Sequence, residues 1–99
     1  MRGRGISRKK LLDEILEGID VQKKKISVIS EYIEKELKKV PRSVEPHLKS
    51  YLYTRLKHEY LALADYEIAK NLMEKGVKTQ YVQEYLKVSN RFREYLPHS

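Results

Sequence analysis

The sequence predicts an all-α fold: a long antiparallel helical hairpin with a third, shorter helix packed on it. Three observations carry this. Apolar residues recur three and four apart along three stretches, the spacing of one helix face. A helix-starting serine or threonine, Ser7, Ser43 or Thr79, stands at the head of each stretch. Pro41 and Gly76, the residue types that stop helices, lie between the stretches.

The first helix is expected over residues 7–40. Leu12, Ile19, Ile26, Ile33 and Val40 repeat every seven residues. The companion positions are Ile15, Gln22, Ile29 and Glu36, two of them polar, so the seam is imperfect. Leu16 and Leu37 widen it into a globular-type face. Gly18 and the Lys23-Lys24-Lys25 run are the places where so long a helix would bend or break. Val40-Pro41-Arg42-Ser43 ends it, because proline disfavours helical geometry in the residue before it.

The second helix is expected over residues 43–75, with Pro46 in its first turn and Gly76 as its stop. A connection this short makes the first two helices antiparallel neighbours. Tyr60-Leu61-Ala62-Leu63-Ala64 is the one run of five apolar residues without a charge. Five such residues go most of the way round a helix, so this segment is expected to be buried on more than one side. The apolar face also drifts, from Leu48, Leu52 and Leu56 to Leu61, Ala64, Ile68 and Leu72. That drift calls for two different partners along the helix. The third helix, residues 79–96, carries an aromatic stripe, Tyr81, Tyr85, Val88, Phe92 and Tyr95, spaced as core or interface.

Residues 7–96 make one helical domain, preceded by a mobile basic arm at 1–6 and followed by a tail at 97–99. The net charge of +7 is unevenly placed: Arg2, Arg4, Arg8, Lys9 and Lys10 carry five of the seven excess charges. Arginine forks onto phosphate, so these five residues are the candidate nucleic-acid contacts, non-specific and salt-sensitive. No apolar run approaches the roughly 20 residues of a membrane span. There is no cysteine, which suits a reducing cytoplasm. Glutamine and asparagine are scarce and lysine and glutamate abundant, the bias of heat-adapted chains.

Catalytic and metal chemistry find little support. His47 and His58 are eleven residues apart on one helix, about 16 Å, too far to share an ion. No nucleophile motif or glycine-rich phosphate loop is present. No cofactor or small-molecule substrate is implied.

Leu72 to Leu86, with Gly76, Val77, Thr79, Val82 and Tyr85, resembles the helix-turn-helix motif of DNA-binding proteins. The resemblance, taken over about 68–91, makes Gly76 the turn glycine and Thr79 the cap of a recognition helix. It implies an outward face of Gln80, Gln83, Lys87 and Arg91. It departs from the motif at Leu72, where a small residue is expected, and at Glu84, which would repel phosphate. An ordinary αα-hairpin closed by a glycine accounts for the same residues. Over its whole length, the Cys-free, Tyr-, Lys- and Glu-rich chain with its Arg2-Gly3-Arg4-Gly5 arm resembles the small uncharacterised proteins of archaeal filamentous viruses. That resemblance implies a hot, acidic host and a place in the host cytoplasm or the virion.

These readings point to a non-enzymatic structural or protein-interaction protein. It is expected to be a homodimer through the apolar faces of its long helices, which one short helix cannot cover. The alternative is a DNA- or RNA-binding protein using the basic arm.

Overall fold

The computed structural model describes residues 7–94. Helix α1 spans Arg8–Lys35, α2 spans Glu45–Glu74 and α3 spans Thr79–Glu94; a one-turn 3₁₀ segment, Leu37–Lys39, follows α1. No strand occurs among the described residues. The hairpin with a third, shorter helix is therefore the architecture of the chain.

Local chemistry sets the ends. The Ser7 hydroxyl accepts from the Lys10 backbone N–H at 3.2 Å and starts α1. The helix then continues through Gly18 and the three lysines without a break. It stops at Lys35, short of Val40, by tightening into the 3₁₀ turn. Val40 is extended, φ −82° and ψ 158°, as a residue before proline should be. Residues 42–44 form a turn, in which Val44 and Glu45 both donate to the Pro41 carbonyl. The second helix thus opens after Val44 and takes no cap from Ser43.

At its other end α2 closes as expected. Gly76 has φ +84°, Val77 N–H donates to Leu72 O at 3.0 Å and Gly76 N–H to Met73 O at 3.1 Å. These are the paired bonds of a Schellman cap, which needs a left-handed residue where the chain leaves the helix. Helix α3 opens with Val82 N–H donating to Lys78 O at 3.2 Å. Thr79 is therefore its first turn and not its cap. Tyr95 and Leu96, expected in this helix, lie outside the described residues.

The two ends of the molecule are unlike. The radius of gyration is 17.1 Å and the extents are 58 × 24 × 21 Å. A compact chain of this length would have a radius near 13 Å. One end is three helices thick. There Leu11 and Ile15 of α1, Ala69 and Met73 of α2 and Val82 of α3 form the core, with Ile15 and Val82 sealed from solvent. The other end has only the hairpin, whose buried residues are Gln22, Ile26, Leu37, Glu59 and Ala62. The Tyr60–Ala64 stretch is not enclosed as its composition suggests. Only Ala62 is buried, Leu61 and Leu63 are half-buried, and Tyr60 and Ala64 are exposed. Helix α3 reaches back as far as Asp65, so the stretch does have neighbours, but only its Ala62 side is closed over by them and Tyr60 and Ala64 face outward.

Helix α3 lies back along α2. Asp65 stands eleven residues before Gly76, about 16 Å along α2, and Arg93 seventeen after it, about 25 Å along α3. Helices crossing at right angles would hold the two about 30 Å apart. Instead their side chains form an ion pair, which requires a crossing close to antiparallel. This corrects the helix-turn-helix reading of about 68–91. The glycine turn is real, but it closes an αα-hairpin and does not present α3 as a recognition helix.

Candidate functional site

A polar latch holds α3 to α2. Asp65 accepts from the Tyr85 hydroxyl at 3.1 Å and from Arg93, and Arg93 also donates to Asn90 Oδ1 at 3.0 Å. Asp65 and Arg93 are each about four-fifths buried. Burial pushes the Tyr85 phenol above its ordinary value, an effect the Ser89 hydrogen bond opposes and Asp65 reinforces. The Tyr85 phenol therefore stays protonated below about 10, fixed as a donor to Asp65. A cleft of about 160 Å³ lies beside the latch, between α1 and α3, with Glu14, Asp65 and Arg93 in its wall. Asp65 and Arg93 answer each other across it, which makes that wall a structural seam. Among the described residues no group of three or more His, Cys, Asp or Glu side chains converges to hold a metal.

The latch also joins two apolar stripes. On α3, Tyr81, Tyr85, Val88 and Phe92 lie four, three and four residues apart, along one side of the helix. On α2, Leu61, Ala64 and Ile68 lie on the side that carries Asp65. The Tyr85–Asp65 hydrogen bond brings the stripes edge to edge. Tyr81 is 58% exposed, Val88 52% and Phe92 63%, with Ile68 and Ala64 exposed beside them. This flank is the apolar side of α3 and the second face of α2, and no described residue covers it.

Two open grooves run between α1 and α2. One, about 390 Å³, is lined by Val21, Val28 and Ile29 with Lys24, Lys25 and Arg55 at its rim. The other, about 500 Å³, runs along Leu12, Leu16 and Met73. Part of the hairpin is thus left uncovered, as the unequal helix lengths require.

The predicted phosphate contacts are dispersed. Arg2 and Arg4 lie outside the described residues. Arg8 is used internally: its guanidinium donates to the Met73 carbonyl and, at 3.1 Å, to the Val77 carbonyl. It thereby answers the negative end of α2, whose last turn carries no basic residue of its own. Lys9 and Lys10 are exposed and unpaired among the described residues. They stand in the first turn of α1, where the dipole disfavours cations. Gln80, Lys87 and Arg91 are exposed and Gln83 half-buried, on the side of α3 away from Val82.

Sequence reasoning missed two residues at the basic end. The Arg8 hydrogen bonds bring the start of α1 against the turn between α2 and α3. Lys75 and Lys78 of that turn, both exposed, therefore join Lys9 and Lys10 at one tip of the rod. The signal was available, since an antiparallel hairpin must place the start of its first helix at the end of its second.

The fold and these surfaces define a small helical-hairpin protein with an uncovered apolar flank and a basic tip. Compared with protein families, curated proteins and solved structures, the chain has no match.

Proposed function

We propose that this protein is a non-enzymatic structural or interaction protein that works as a homodimer. The observation that carries the reading is the flank of Tyr81, Val88 and Phe92 beside Ala64 and Ile68, apolar and more than half exposed along α3. Leaving such a strip in water forfeits about 25 cal/mol for every Å² of apolar surface. Contiguous apolar patches of several hundred Å² are rare on proteins that stay single. A two-fold pair is the commonest way to cover one. The flank includes α2 of the long hairpin, but α3 contributes more of it than the sequence leads one to expect. No helix among the described residues is long and apolar enough to cross a membrane. The whole-chain resemblance to proteins of archaeal filamentous viruses would put this pairing in the host cytoplasm or the virion.

Tyrosine footprinting tests the reading. With rising protein concentration Tyr81 becomes protected from nitration, while Tyr51 and Tyr53, exposed at the two-helix end, do not. Unchanged labelling of Tyr81 across the range argues against the pairing.

A second reading rests on the basic tip. Lys9, Lys10, Lys75 and Lys78 gather at one tip, and two of them sit against the dipole of α1. Such cations are stabilised by an anion held between them, as a nucleic-acid phosphate would be. Replacing Lys9 and Lys10 by glutamine should reduce the salt dependence of duplex binding by roughly one to two in slope. An unchanged slope removes this tip from consideration.

A further inference from the structure

We propose that the homodimer is a two-fold pair in which the α3 helices of the two copies pack antiparallel, with Glu84 of each chain against Arg91 of the other. The inference rests on the homodimer reading above and adds its register. The spacing of four, three and four along Tyr81, Tyr85, Val88 and Phe92 is that of a coiled-coil seam. Antiparallel helices pair the two kinds of seam position with each other. Tyr85 then meets Val88 of the second copy, and Tyr81 meets Phe92 of the second copy.

Charge selects this orientation. Glu84 and Arg91 are exposed and unpaired among the described residues. Each precedes a seam residue by one position, Glu84 before Tyr85 and Arg91 before Phe92, so both stand on the rim of the stripe. In the antiparallel pair this rim position faces its own kind across the interface, and the offset of seven brings Glu84 to Arg91 twice. In a parallel pair Glu84 would face Ser89, and neither charge would be answered. A stripe whose rim charges complement their own copy calls for a second copy of this chain, and needs no other partner.

The area is sufficient. The 16 residues of α3 run about 24 Å. With α2 packed beside it the face is about 20 Å wide, so roughly 500 Å² per chain and about 1,000 Å² in a pair, the lower edge of specific interfaces. The dimer should therefore dissociate on dilution.

Sedimentation equilibrium on the full chain tests the register, using Glu84→Arg, Arg91→Glu and the double exchange. Both positions are exposed, and far-UV circular dichroism verifies that each variant keeps its helices. Either single exchange turns two attractive pairs into two repulsive ones and should weaken the dimer by roughly tenfold or more. The double exchange restores both pairs and should return the affinity to within about threefold. An equal mixture of the two single variants should associate more tightly than either alone. Single variants that dimerise like the parent, or a double exchange as weak as the singles, overturn the antiparallel register while self-association stands. A parent chain that stays single at every concentration overturns both.

Discussion

The ring of Tyr66 in α2 lies against Gly18 in α1 so closely that a Cβ on Gly18 would stand 2.6 Å from two of its ring atoms. The glycine thus admits an aromatic ring from the facing helix, and α1 continues through it without a break. Alanine there would gain about 1 kcal/mol in helix propensity. It would also force the ring out of its place, an overpacking cost of about 1–3 kcal/mol. Gly18→Ala is therefore expected to lower the melting temperature, and Tyr66→Leu in the same chain to relieve the loss. A simple rise in melting temperature for Gly18→Ala would show that the ring moves aside freely.

Gln22 is buried in the two-helix half, and its Oε1 has no hydrogen-bond partner. A buried acceptor without a partner costs about 1–3 kcal/mol. Gln22→Met keeps the volume and removes the cost, so chemical denaturation should give a variant more stable by about 1 kcal/mol. A loss of stability would mean that the amide is hydrogen-bonded in solution.

Asp65→Ala removes the acceptor shared by Tyr85 and Arg93 and leaves a partly buried guanidinium paired only with Asn90. Charged hydrogen bonds contribute about 1.5–3 kcal/mol each. Hydrogen exchange should show α3 losing protection before α1 does. Uniform loss across all three helices would mean that the latch holds the whole fold.

Tyr85 reports the same latch through pH. Its proton is held more tightly in the folded chain than at the ordinary value of 10.0, chiefly because burial disfavours the phenolate. Its contribution to stability is whole below about 10 and is lost as pH rises through the folded value. In phenolate absorbance, Tyr85→Phe should remove the latest-titrating component. Removal of an early component instead would contradict the buried environment.

The helices were legible because apolar spacing, proline and glycine act locally, although of the three expected caps only Ser7 serves as one. Gly76 is read correctly from its neighbours alone, since the Schellman bonds involve residues 72–77. Gly18 reads in sequence as a place to bend or break, but α1 continues through it, and what the glycine accommodates is Tyr66, forty-eight residues away. Tyr60–Ala64 is misread as enclosed because composition shows that a face is apolar but not what covers it. Arg8 reads as a free cation in sequence, yet it binds carbonyls of α2 and the following turn that only the folded hairpin brings near. The aromatic stripe was visible as core or interface. Which it is depends on α3 turning Val82 inward, and with it Tyr81, Val88 and Phe92 out.

The homodimer is tested most directly by sedimentation velocity of the full chain over a rising micromolar range, beside Val88→Glu. Val88 is exposed, so the charge leaves the fold of a single chain intact and falls in the middle of the flank. The parent should shift with concentration from 11.8 kDa toward twice that mass, while Val88→Glu stays at the lower value. A parent that remains at 11.8 kDa throughout, or a variant that dimerises as the parent does, would contradict the homodimer.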